Sequence, residues 1–229
     1  MWTARVFTLY PELFPGPLGV GLYKKAKDNK IWSLETVNIR DYAEDKHKTV
    51  DDTPFGGGSG MVMKADVLAN SLDKNISYKN EPVLYLSPKG KKFNQTYAKK
   101  FLNKNINIIC GHFEGVDERI LATRNIEEIS IGDFVLSGGE IAAFTIIDSV
   151  VRLLPGVLGN PNSLSEESFE NGLLEYPQYT KPQKWEEKEV PNILLQGDHK
   201  KIKDWRLSQS EDITRRRRPD LWKKYNKIK

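Results

Sequence analysis

The chain has 229 residues, 38% of them hydrophobic and 29% charged, with a formal net charge of +4. That length allows one large domain, or a medium domain with a small one, and no apolar run nears the roughly 20 residues a bilayer span needs. A single cysteine, Cys110, excludes an internal disulfide, and with only three histidines beside it no zinc-ligand pattern exists.

The first stretch, "MWTARVFTLYPELF", lacks a basic segment followed by an apolar core, so no signal peptide and a cytoplasmic protein are expected. Residues 4–10 and 33–39 read as β-rich apolar strands. Between 49 and 64 comes "TVDDTPFGGGSGMVMK". It is not a Walker A loop, because no Gly-Lys-Ser/Thr follows at the required spacing. Asp51, Asp52 and Phe55 directly before the glycines argue against a plain linker.

Three further strands are expected at 83–87, 107–110 and 133–137. They run into "YLSPKG", "IICGHFEG" and "FVLSGGE", with helical character between them at 95–102 and 118–123. Short apolar strands alternating with helices predict an α/β fold with a parallel sheet covered on both faces. Ligands in such sheets bind beyond the carboxyl ends of the strands, which makes these three Gly- or Pro-terminated ends the default site. "IAAFTIIDSVVRLLP" then has helical spacing and stops at Pro155. Glu140 lies in the first turn of that helix, where it serves either the helix dipole or the site.

Composition shifts after that helix. "GVLGNPNSLSEESFENGLLEYPQYTKPQ" has no sustained period and reads as a linker and its exit. The remainder looks helical, with Asp198 as an N-cap and Pro219 opening a last short helix. Residues 181–229 carry 15 Lys and Arg against 8 Asp and Glu, a net of +7, which leaves −3 for the rest. A basic C-terminal part on a neutral-to-acidic body suggests nucleic acid or another anionic surface; the alternative is a solvated lysine-rich tail.

"DFVLSGGE" is not a dinucleotide fingerprint. Glu114, Asp133 and Glu140 around the strand ends predict an electronegative pocket that repels a pyrophosphate. A ligand with a positive centre and no phosphate suits it better, and S-adenosylmethionine is such a molecule. A nucleotide-hydrolysing switch is disfavoured on the same grounds.

Taken in order, "TVDDTPFGGGSGM", "YLSP", "CGHFEGVDERI", "SIGDFVLSGGE", "DSVVRLLPGVLGN", "ESFENGLLEYPQYTKP" and "WRLSQS" resemble the bacterial tRNA (guanine-N1)-methyltransferases of the knotted SPOUT superfamily. The resemblance covers nearly the whole chain. It implies a deep trefoil knot in the α/β part, followed by a small helical C-terminal domain. Its domains would be a knotted S-adenosylmethionine-binding catalytic domain at 1–159, a linker at 160–175 and a basic helical tRNA-binding domain at 176–229.

The implied reaction is methyl transfer to N1 of the guanosine at tRNA position 37, next to the anticodon, by a homodimer with shared active sites. The implied cofactor residues are Tyr85, Leu86, Ser87, Pro88, Gly111, Glu114, Gly115, Ile131, Gly132, Asp133, Phe134, Val135, Leu136, Ser137, Gly138 and Gly139. The implied base is Glu167, where the family has an aspartate one methylene shorter, with Glu166 as its neighbour. Arg152 matches the cation that faces O6; otherwise it is a helix-end residue favoured by the dipole. The family is associated with Mg2+, although no protein ligand cluster points to a site. Tyr176, Tyr179, Trp185 or Trp205 could stack on nucleotides or pack in a core. Two other readings remain: a SPOUT enzyme with another RNA target, and an RNA-binding protein that has lost catalysis, which only the Glu167 departure favours.

Overall fold

A computed structural model describes residues 1–76 and 81–227. The chain divides into two compact units, Met1–Gly159 and Asn160–Lys229.

The first unit runs β1 (Trp2–Thr8), α1 (Gly21–Asp28), β2 (Trp32–Asn38), β3 (Asp51–Asp52), β4 (Val62–Met63), α2 (Ala65–Asn75), β5 (Val83–Lys92), α3 (Gln95–Lys99), β6 (Ile106–Ile109), α4 (Glu118–Thr123), β7 (Glu127–Ser130) and α5 (Glu140–Val151). Five strands form one sheet in the order β2-β1-β6-β5-β7, and every pair is parallel. The central strand β6 is "INII", buried at all four positions. Such continuous apolar strands need cover on both faces. On one face α2 and α4 bring Val67, Leu68, Leu72, Ile120 and Leu121 into a core with Phe7, Val83, Tyr85 and Ile109. Elsewhere α5 packs against β1 and α3. Its buried Ala143, Ile146, Ile147 and Val150 recur at i, i+3, i+4 and i+7, the spacing of one helical face.

One expected strand is absent. Residues 133–137 form bends and coil, and the fifth strand is the acidic-looking β7, "EEIS". The apolar side chains of "FVL" face outward instead: Phe134, Val135 and Leu136 are 52%, 85% and 38% exposed. The expectation of a strand here fails because composition does not distinguish an apolar strand from an apolar loop. The sequence also hides that β5 runs to Lys92, because its pairing with β7 shifts between Leu86 and Lys91. Residues 87–90 are extruded there as a bulge. A Cβ on Gly90 would strike the backbone of Ile129, so only glycine lets the bulge close onto β7.

The glycine-rich stretch caps a two-residue antiparallel ladder between β3 and β4. Gly56, Gly57, Gly58 and Gly60 all have positive φ, from 79° to 130°. The base of this hairpin is sewn to the segment after β6. Glu114 N–H donates to the Met61 carbonyl at 2.9 Å, and Met63 N–H donates to the Gly115 carbonyl at 2.9 Å.

The second unit opens with a 3-10 turn at Pro161–Glu166. It continues through the hairpin strands β8 (Lys184–Trp185) and β9 (Lys188–Glu189) to the helices α6 (His199–Arg217) and α7 (Pro219–Tyr225). Asp198 caps α6, its Oδ1 accepting from Lys201 N–H at 3.1 Å, and Pro219 opens α7. Trp222 and Tyr225 stack at 5.6 Å.

Candidate active site

A cleft of about 350 Å³ lies at the carboxyl ends of β5 and β6 and along the segment after β7, where open parallel sheets hold ligands. Fifteen of the sixteen residues expected there line it: residues 85–88, Gly111, Glu114, Gly115, and residues 131–139 apart from Asp133. Asp133 points away. Its side chain is 93% exposed, with Oδ2 at 3.8 Å from Lys92 Nζ. Glu140 does not line the cleft either, being only 3% exposed. The carboxylates that do line it are Glu114, Glu118 and Glu128, with Lys89 as a basic neighbour. Glu118 and Glu128 escaped the sequence reading because neither adjoins a glycine. The alignment of β7 beside β5, which pairs Glu128 with Tyr85, is what brings Glu128 in.

The glycines of the cleft make room for the cleft's own walls. A Cβ on Gly111 would lie 2.8 Å from the Tyr85 ring, and one on Gly115 would lie 3.0 Å from its hydroxyl. Gly132 makes room in the same way for the Phe134 ring, Gly60 for the Glu114 carboxylate and Gly138 for the His112 ring. A Cβ on Gly139 would lie 2.6 Å from Cys110 Cα. These glycines let one part of the chain approach another closely. Burial raises the pKa of the Tyr85 hydroxyl, which stays neutral in the wall. Phe113 holds φ at 58° while half exposed beside the cleft, an uncommon conformation for a non-glycine residue.

Behind the cleft is a buried polar cluster. His112 Nε2 lies 2.9 Å from both carboxylate oxygens of Glu140, and Thr8 Oγ1 donates to Glu140 Oε1 at 2.6 Å. The Tyr10 ring packs edge-on against His112 at 4.9 Å. Glu140, read from sequence as a first-turn carboxylate, is thus the acceptor that joins β1, the end of β6 and the start of α5. Burial first, and then the Glu140 charge, pushes the Cys110 thiol up, so this cysteine is an inert part of the wall.

Arg152 caps α5, its N–H donating to the Asp148 carbonyl at 3.1 Å. The Asp148 carboxylate accepts from Tyr23 OH at 2.6 Å. Burial and Asp148 push the Tyr23 hydroxyl up to about 12, with the Arg152 charge opposing them.

In the second unit, Glu166 and Glu167 end and follow the 3-10 turn. Glu166 is engaged on two sides: Tyr176 OH donates to its Oε2 at 2.6 Å, and Arg206 Nη1 at 3.1 Å. The Arg206 guanidinium also lies 4.7 Å over the Tyr176 ring. Burial and the Glu166 contact raise the Tyr176 hydroxyl. Phe169, two residues beyond Glu167, has φ of 78°.

Among the described residues no group of three or more His, Cys, Asp or Glu could hold a metal ion, and no helix is long and apolar enough to cross a membrane. The described residues therefore make no cage for Mg2+.

The family model described as "tRNA (Guanine-1)-methyltransferase TrmD" matches residues 1–224. A protein of Pelagibacter ubique (strain HTCC1062) named tRNA (guanine-N(1)-)-methyltransferase is 71% identical over 228 residues, covering 99% of this chain and 100% of the relative. Proteins of the same name from Bartonella tribocorum (57% over 225 residues; 98% and 96%) and Chelativorans sp. (53% over 228 residues; 99% and 97%) match along almost their whole lengths. With its sequence matched from the first strand of the sheet into the last helix, the chain belongs to the tRNA (Guanine-1)-methyltransferase family.

Proposed function

We propose that the protein transfers a methyl group from S-adenosylmethionine to N1 of guanosine 37 of tRNA. The observation that carries the proposal is the cleft at the strand ends. It is deep, mixed apolar and polar, lined by three carboxylates, and without the lysine-bearing phosphate loop of a nucleotide site. Leu86, Ile129, Phe134 and Leu136 offer apolar surface for an adenine. Glu114, Glu118 and Glu128 suit an ammonium and a sulfonium. Bound there, the cofactor supplies an electrophilic methyl group.

Guanine N1 carries a proton and becomes nucleophilic as that proton leaves. In our reading the Glu167 carboxylate would take it as N1 bonds to the methyl carbon and the carbon–sulfur bond of the sulfonium breaks, the sulfur leaving as a neutral thioether, and the Arg152 guanidinium would face O6, where negative charge grows. Glu167 is the base by the family resemblance, and its neighbour Glu166 is held by Tyr176 and Arg206. The net +7 of residues 181–229 suits tRNA phosphates, which position the substrate without reading its sequence.

The same reading includes a trefoil knot and a homodimer. The chain leaving β7 returns to the end of β6, where His112 bridges to Gly138 and Gly139 N–H donates to the Gly111 carbonyl at 3.0 Å. That return supports the knot implied by the resemblance. The first unit exposes Leu13, Val20, Val135 and Ile141, apolar side chains that a second copy would cover.

The test uses labelled S-adenosylmethionine and tRNA transcripts that differ only at positions 36 and 37. Label that follows the position-37 guanosine is expected. Label that ignores that base, or no transfer to any transcript, overturns the proposal.

A further inference from the structure

The second unit has a cleft of its own, of about 470 Å³. Its walls include Tyr176, Tyr179, Lys181, Leu194, Trp205 and Arg206. Tyr179 and Trp205 stand 6.3 Å apart with their rings tilted by 53°, and Tyr179 is 47% exposed. Rings that were mere core would be covered; here one face of an aromatic pair opens to solvent. The Arg206 side chain is only partly used. Nη1 pairs with Glu166 at 3.1 Å, while its Nε–H is buried and meets no acceptor. A donor left so is costly unless a partner arrives. The surrounding segment is net positive, and two acids of this region are engaged, Glu166 by Arg206 and Tyr176, and Glu175 by Gln178.

An aromatic pair beside Lys181 and Arg206, on a basic surface, has the chemistry of a single-stranded nucleic-acid subsite: ring faces for a base and cations for its phosphate. We propose that this cleft takes one unpaired base of the RNA substrate, stacked on Tyr179 and Trp205, with Lys181 on the adjoining phosphate. The proposal deepens the reading above and rests on the substrate being RNA. Stacking on a bare ring face tolerates any base, so the subsite contributes affinity and register rather than sequence choice. An apolar peptide would use the rings equally well but would leave the positive rim without a counter-charge.

The test is fluorescence anisotropy of labelled, unmodified tRNA transcript with the full chain at several salt concentrations. Tyr179→Ala is expected to weaken binding by about 5- to 100-fold, the usual worth of one base stack. Tyr179 is exposed, so the fold should survive; an unchanged melting temperature and unchanged S-adenosylmethionine affinity by calorimetry check this. Tyr179→Phe keeps the ring and is expected to recover most of the lost affinity. The dependence on salt should keep its slope in Tyr179→Ala, because no phosphate contact is removed, and should become shallower in Lys181→Ala. Tyr179→Ala binding tRNA as tightly as the parent overturns the cleft proposal alone. So does Tyr179→Phe binding as weakly as Tyr179→Ala, since the hydroxyl and not the ring would then matter. A parent chain that binds no tRNA overturns the RNA reading as well.

Discussion

Gly139 lies directly on the backbone of Cys110: its N–H donates to the Gly111 carbonyl at 3.0 Å, and a Cβ there would come within 2.6 Å of Cys110 Cα. The loop after β7 is thereby pinned to the end of β6. Backbone cannot yield as a flexible side chain can, so Gly139→Ala is expected to destabilise the protein by about 1–3 kcal/mol, the cost of overpacking. S-adenosylmethionine affinity should fall with it, because the cleft wall moves. Gly138→Ala meets the side chains of His112 and Glu140, which shift more readily than backbone but are tied to each other and to Thr8, so it should also destabilise, by somewhat less. Chemical denaturation of both variants checks the order. If Gly139→Ala proves as stable as the parent, the two segments are not packed as described.

The buried cluster behind the cleft makes a second expectation. Glu140→Ala strips an acceptor from Thr8 and from His112 together. Leaving buried polar groups without partners costs about 1–3 kcal/mol, more than removing a partner from water-exposed groups. Thr8→Val removes the donor to Glu140 and the acceptor of Tyr10 N–H but leaves the His112–Glu140 contact and strands no carboxylate partner, so it should cost less. Urea unfolding of the two variants measures both, and equal losses would mean that the Thr8 contact dominates the cluster.

These two sites separate what the sequence displays from what it conceals. "INII" and the 3.6-residue spacing of 143, 146, 147 and 150 are visible because burial selects apolar residues at fixed periods. The N-cap at Asp198 and Pro219 at the start of α7 are visible because each solves a local backbone problem. The strand "EEIS" is not visible, because it lies at the sheet edge, where Glu127 reaches Lys91 at 3.0 Å instead of a core. "FVL" misleads for the opposite reason: it is apolar in order to line a cleft. The sharing of Glu140 among β1, β6 and α5 joins residues 8, 112 and 140, and no local pattern announces a contact over such separations. The family likeness was legible because seven short motifs fall in one order, a signal that owes nothing to periodicity.

Acid should weaken the first unit through Glu81. Burial works to raise its pKa, but hydrogen bonds from Asn105, Asn107 and Arg5 and the Arg5 charge outweigh it and hold the carboxyl below its ordinary value of 4.5. A carboxyl whose folded pKa is depressed adds stability that is fully present above the unfolded value and is lost as pH falls through the folded one. The parent should therefore lose stability faster than Glu81→Gln on acidification below about pH 4.5, the ordinary value, while their difference stays flat above pH 6. Melting temperatures from pH 3 to pH 7 test this. A difference that does not change across that range would mean that Glu81 titrates alike in both states.

The sharpest prediction concerns the adjacent carboxylates of the second unit. Glu167→Gln keeps size and hydrogen-bonding capacity but removes the basic group. It should slow single-turnover methylation by about 10²–10⁴-fold, the worth of a positioned general base, and leave cofactor affinity intact. Glu166→Gln should act differently. Its amide oxygen can still accept from Tyr176, but the charge facing Arg206 is lost, so the 3-10 turn before Glu167 loosens. The pair is partly exposed, which keeps the effect on stability within about 1 kcal/mol. The methylation rate should fall only modestly, and Arg206→Lys should reproduce that fall because it loses the Nη1 contact with Glu166 and the guanidinium plane over Tyr176. Arg152→Lys keeps a charge yet loses the fork proposed to face O6, so it should cut the chemical step without touching tRNA affinity. Rapid-quench single-turnover assays at saturating tRNA and S-adenosylmethionine distinguish these cases, since binding no longer limits the rate. Should Glu166→Gln abolish turnover while Glu167→Gln retains it, the base is Glu166, and the Tyr176–Arg206 pair is the device that positions it.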